Sequence, residues 1–178
     1  ASYCQLPRHR SSSTHPIYYY GISGWSPMTS GTAQDLYGVW GSLAVGGGGT
    51  ILDYNGTAWN PMTSGTTWDL NGVWGSFAVG TGGIILHYEG GEWSAMSSNT
   101  TNGLYGVWGS PPTSDVFAVG NLGTILHHDG TNWSPMTSGT TELLRAVWGN
   151  WGTDVFAVGN LGTILHYDGT NWTAMSSG

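Results

Sequence analysis

The chain has 178 residues, of which 7% are charged: no lysine and three arginines (Arg8, Arg10, Arg145) face ten acids, for a net charge of −7. Such a balance offers no basic face to displace counterions, which excludes nucleic acid and an anionic bilayer as expected partners. One domain is expected, burying about 70% of the surface of the unfolded chain.

Residues 1–31 differ from everything that follows. They hold Cys4, Arg8, Arg10 and two of the six histidines (His9, His15). A single cysteine excludes an internal disulfide framework and a cysteine-rich zinc site. Residues 1–20 lack the charged start and apolar stretch of a secretion signal, so for an exported protein the signal is expected to have been removed already. No run of eighteen apolar residues occurs anywhere, and membrane insertion is not expected.

From Trp25 onward the chain repeats. A Trp-x-x-Met segment recurs as GWSPM, AWNPM, EWSAM, NWSPM and NWTAM, with Trp25, Trp59, Trp93, Trp133 and Trp172, and all five methionines sit in it. GVWGS recurs at Gly38–Ser42, Gly72–Ser76 and Gly106–Ser110, with AVWGN at Ala146–Asn150, placing Trp40, Trp74, Trp108 and Trp148 in register. An AVG block starting at Ala44, Ala78, Ala118 and Ala157 then leads through a glycine-rich turn into the closing segment. The units are 1–31, 32–65, 66–99, 100–139 and 140–178.

Within 140–178, LLRAVWG, DVFAVG, TILHYDG and NWTAM are short apolar runs bounded by Gly, Asn and Asp. Their length and their Val, Ile, Phe, Tyr and Trp content predict strands. DGTN and NLG predict hairpin turns. Four strands per unit, five units and no helix predict an all-β chain, a five-bladed β-propeller of four-stranded antiparallel blades. The first blade is degenerate: HPIYYYGISGW stands where later units have GTILHYDGTNW, Leu6 falls at the place of Trp40, and Ser11 at the place of Val45. Three readings of that segment stay open: a diverged blade, a segment that pairs with another chain and so supports an oligomer, or a misread stretch before Tyr20.

The run GVWGS…DVFAVG…GTILHYDG…W resembles the Trp/Gly-rich propeller repeats found in tandem in bacterial exported proteins. In blade size and number it is similar to five-bladed tachylectin-type lectins. The resemblance covers 32–178 strongly and 15–31 weakly; it implies a propeller that binds something.

Candidate functional residues are those that the repeat does not explain. The nine in-register tryptophans are expected to fill the gaps between blades. Trp68, in the TTWDL connection, and Trp151, in the longer GNWGTD loop, fall outside that register and are ligand candidates. Asp154 and Pro112 join them, because units four and five carry extra residues in the loop between GVWG and VFAVG, and loops on a rigid scaffold carry recognition. His87, His127 and His166 share one repeat position on a third strand, away from any axis, and are expected to hydrogen-bond near a strand end rather than hold a metal. Glu89, Asp129 and Asp168 precede turn glycines and read as turn formers. Sequons at Asn55, Asn99, Asn132 and Asn171 matter only in a host that glycosylates exported chains. No nucleophile elbow, carboxylate pair or phosphate loop stands out; no enzyme, cofactor or metal is expected. The leading expectation is a non-catalytic recognition module, extracellular or at a cell surface, binding glycan at several equal sites. The alternative is a structural or protein–protein interaction and assembly module.

Overall fold

The computed structural model describes residues 17–21, 24–111 and 114–176. Strands β1 (Ile17–Gly21) and β2 (Gly24–Met28) form a two-stranded sheet, followed by four sheets of four antiparallel strands in simple meander order. Sheet II holds β3 (Leu36–Trp40), β4 (Leu43–Gly46), β5 (Ile51–Tyr54) and β6 (Trp59–Met62). Sheet III holds β7 (Leu70–Trp74), β8 (Phe77–Gly80), β9 (Ile85–Glu89) and β10 (Glu92–Met96). Sheet IV holds β11 (Leu104–Gly109), β12 (Asp115–Gly120), β13 (Ile125–Asp129) and β14 (Trp133–Met136). Sheet V holds β15 (Leu144–Trp151), β16 (Asp154–Gly159), β17 (Ile164–Tyr167) and β18 (Trp172–Ala174). Among the described residues no helix is long and apolar enough to cross a membrane.

The unit boundaries read from sequence coincide with a backbone feature. Gly31, Gly65, Asn99 and Gly139 all have a left-handed φ, between 55° and 76°. Each ends a unit and turns the chain into the next first strand. Within a unit, the second and third strands are joined by a short 3₁₀ turn, at Gly47–Gly49, Thr81–Gly83, Asn121–Gly123 and Asn160–Gly162. NLG was expected to make an ordinary hairpin turn; it makes this 3₁₀ turn, and its leucines Leu122 and Leu161 are left-handed, at φ 53° and 52°.

The sheets stack through alternate faces. Val45 and Ile51 of sheet II meet Leu70, Val73, Ala78, Leu86 and Trp93 of sheet III. The other face of sheet III offers Phe77, Val79 and Ile85 to Leu104, Val116, Ala118, Leu126 and Trp133 of sheet IV. Phe117, Val119 and Ile125 then pack with Leu144, Val147, Val155, Ala157, Leu165 and Trp172 of sheet V. Burial on both faces explains why ILHY and VFAV do not alternate apolar with polar. Each fully buried Ile, Leu or Phe is worth roughly 1.5 to 3 kcal/mol, so these interfaces dominate stability.

First strands abut directly. A Cβ on Gly72 would lie 3.1 Å from the Tyr105 carbonyl oxygen, and one on Gly106 would lie 3.0 Å from Cα of Ala146. Side chains are excluded there, which lets neighbouring backbones touch.

Two faces are less completely buried than their equivalents, although Ala44 and Leu52 on the outer face of sheet II are 1% and 2% exposed. Val158 is 42% exposed, whereas its equivalents Val45, Val79 and Val119 are at 0%. On sheet II, Leu36, Val39 and Trp59 are only half-buried, whereas Leu70 and Leu104 at the place of Leu36 are at 0%. The residue types are those that meet at the three filled interfaces, one of each kind.

Candidate functional site

Both ends of the strands carry candidate residues. At one end lie the hairpins joining first to second strands. Asp115 and Asp154 enter there with the longer loops of units four and five, opposite the third strand. Asp115 Oδ1 lies 2.7 Å from His127 Nε2, and Asp154 Oδ1 lies 2.8 Å from His166 Nε2. In sheet II, where Asp53 takes the histidine's place, Ser42 Oγ donates to its Oδ1 at 2.7 Å.

Each imidazole also stacks on a phenylalanine of the second strand: Phe77–His87, Phe117–His127 and Phe156–His166 have centroids 4.5 to 4.7 Å apart. His127 and His166 thus make the expected hydrogen bond, and all three rings stack on the neighbouring strand. Among the described residues no group of three or more His, Cys, Asp or Glu could hold a metal.

Asp154 is already engaged. Asn150 Nδ2 donates to its Oδ2 at 2.7 Å. That bond, with His166 second, holds its carboxyl below the ordinary range. Trp151 pairs across the hairpin with Asp154 and is 64% exposed. A Cβ on Gly152 would lie 2.6 Å from Asp115 Oδ2, so this turn rests on the neighbouring sheet's acid–histidine pair. Pro112 lies outside the described residues.

The other end holds the connections between sheets. In each, a buried serine folds the chain back: Ser30, Ser64, Ser98 and Ser138 accept through Oγ from the N–H of Thr32, Thr66, Thr100 and Thr140 at 3.3 to 3.4 Å. Each serine hydroxyl also donates to the carbonyl of the same threonine. The threonine Oγ1 in turn accepts from the N–H of the residue two further on, at 3.1 Å in every unit: Gln34, Trp68, Asn102 and Glu142. Two successive side-chain-to-backbone turns therefore set four different residues in one backbone position.

Next to this position stands the tip of the 3₁₀ turn. It is Gly48 in sheet II, Gly82 in sheet III, Leu122 in sheet IV and Leu161 in sheet V. A Cβ on Gly82 would lie 3.7 to 3.8 Å from the indole of Trp68, so that ring lies over the glycine while the side chain stays 55% exposed. Leu122 and Leu161 are 69% and 90% exposed.

Over sheet IV this arrangement encloses an open cleft of about 780 Å³. Asn99, Asn102, Thr140 and Ser138 line it together with Leu122 and Met136, and no charged side chain borders it. Asn102 Nδ2 donates to Thr124 Oγ1 at 2.8 Å, which orients its amide. A concave site with neutral donors and acceptors and one apolar wall suits a neutral, hydroxyl-rich ligand.

The candidates named from sequence thus do not form one site. Trp68 precedes the first strand of its sheet and Trp151 ends the first strand of its own, so they stand at opposite ends. Sequence reasoning missed the leucine tips; their signal was an apolar residue at a turn position where two other units carry glycine. Compared with protein-family models and with curated proteins, the chain matches none.

Proposed function

We propose that the protein is a non-catalytic recognition module that binds neutral carbohydrate in clefts at the connection end of its sheets. The observation that carries this reading is the cleft over sheet IV: amides and hydroxyls, no charge, and an exposed apolar wall, built on a hydrogen-bonded frame that recurs in every connection described. A saccharide presents hydroxyls around an apolar ring face, which is the complement of that lining. Recurrence adds avidity, since each further engaged cleft acts at the high effective concentration set by the scaffold.

The reading includes a closed five-bladed propeller, with residues 1–31 as the fifth unit between sheets V and II. Backbone register supports it. Ile17 pairs with Met28 and Tyr20 with Trp25, as Ile51 pairs with Met62 and Tyr54 with Trp59. The near absence of charge supports an exported or cell-surface setting.

A glycan array followed by thermal melting tests the function. A sugar bound at saturation raises the melting temperature by linkage, by the equivalent of about 2.7 kcal/mol at a hundred times Kd. No shift with any sugar refutes the carbohydrate reading. One observation favours a second reading, that of an assembly module: the apolar face of sheet V around the exposed Val158 would also suit another chain. A mass that grows with concentration, without sugar, would support that reading instead.

A further inference from the structure

We propose that the connection-end clefts are chemically unequal, and that the one bearing Trp68 is the principal pyranose site. This rests on the carbohydrate reading above.

One pair of positions changes in kind from unit to unit. The pairs are Gln34 with Gly48, Trp68 with Gly82, Asn102 with Leu122, and Glu142 with Leu161. In three of the four pairs a single apolar side chain projects into solvent, but it comes from different elements. Sheet III takes it from the connection, and sheets IV and V take it from the turn tip. Where the connection supplies an indole, the tip is glycine, and the ring lies on it. Where the tip supplies leucine, the connection residue is polar.

Core packing does not ask for these groups, since Trp68, Leu122 and Leu161 are all more than half exposed. Backbone stability opposes the two leucines, because a left-handed φ is unfavourable for a residue with a branched side chain. What the three share is an apolar surface offered to solvent at the connection end of the sheets.

The surfaces differ in kind. An indole is flat, wide and electron-rich on its face, and Gly82 beneath it holds it in place with the outer face open. By the repeat, the counterpart of the sheet IV cleft would be bounded by residues 65–68, Gly82 and residues 97–101, and the last of these line an open hollow. There Ser97 Oγ donates to Asn99 Oδ1 at 2.9 Å, keeping a neutral hydroxyl and amide together. A β-glucopyranoside carries its substituents equatorially, so its ring faces hold only axial C–H bonds and can lie flat on that indole while the rim hydroxyls meet the polar edge. A leucine tip offers a small convex contact instead. At the connection position of sheet V stands the acidic Glu142, and Gln34 over Gly48 offers no apolar surface.

Calorimetric titration of the full chain with methyl β-D-glucopyranoside, and in parallel with the best-scoring array sugar, tests the ranking. Trp68→Ala is expected to weaken the tightest binding about tenfold without moving the melting temperature. Gln34→Trp is expected to double the number of tight sites, because the Gln34 amide already lies 3.6 to 4.0 Å from a Cβ position on Gly48, much as the indole lies 3.7 to 3.8 Å from that on Gly82. Binding unchanged in Trp68→Ala but lost in Leu122→Gly overturns the ranking and leaves the carbohydrate reading standing. No heat from either sugar with the unaltered chain overturns both.

Discussion

One residue type does two jobs in this chain. Trp108 is 7% exposed and lies with Phe117 and Trp148 at 6.4 and 6.5 Å, whereas Trp151, three residues beyond Trp148, is 64% exposed. Removing the buried ring leaves a cavity, so Trp108→Ala should lower stability by about 3 to 5 kcal/mol in chemical denaturation. Trp151→Ala should leave folding nearly intact; equal losses would refute the division. His128 makes a second case. It stands where the other units carry Tyr54, Tyr88 and Tyr167, is buried against Phe77 and Trp133, and accepts from Gly130 N–H through Nδ1. Burial lowers its pKa, outweighing the raising effects of a Ser114 backbone hydrogen bond and Asp129; His87 and His127 lower it further. Because the unfolded chain then binds the proton more readily, this residue's contribution is complete above its ordinary value and declines as pH falls through 6.5 toward the folded pKa. His128→Tyr should remove that part of the acid sensitivity, read as a smaller drop in melting temperature between neutral and mildly acid buffer.

At the scale of elements, the connections and 3₁₀ turns carry the argument. Each serine–threonine relay ties a connection to its own backbone, and Ser98 is buried while bonding Thr100 in both directions. Ser98→Ala should therefore cost about 1 to 2 kcal/mol, measured by denaturation, since the Thr100 N–H loses its acceptor. Leu122→Gly has the opposite sign: relief of the left-handed backbone should offset glycine's entropy and leave stability equal or up to about 1 kcal/mol higher, while sugar binding falls. The sequence made the strands legible because copies of one pattern constrain each other; a turn in one unit confirms a turn in the next. It made Trp68 visible for the same reason, as a residue outside the register. Leu122 and Leu161 stayed hidden because a three-residue turn carries no periodicity, and its backbone conformation shows only in three dimensions. The acid–histidine pairs were hidden too, since Asp115 and His127 lie 12 residues apart and meet only through the strand register.

For the molecule as a whole, the open question of sequence was the first unit, and the described strands narrow it. β1 and β2 pair in the register of a third and fourth strand. If residues 1–31 close the ring, the exposed face of sheet V is covered in the native protein. Val158→Asp should then cost about 2 kcal/mol or more, as a buried unpaired charge does. A change within about 0.5 kcal/mol, the range of a surface substitution, would mean that the face stays open to solvent or to another chain. Residues 1–16, which lie outside the described residues, stayed illegible in sequence because they share neither the tryptophan nor the Ala-Val-Gly block that defines the other units.

The measurement that bears most directly on the central claim is an amide and indole chemical-shift titration of the full chain with the sugar that scores best on the array. The account predicts shifts gathered at Trp68, Gly82, Asn102, Leu122 and their connections, with the Trp68 indole moving at the lowest sugar concentration. Shifts confined to the Trp151–Asp154 hairpin, or none with any sugar, would contradict it.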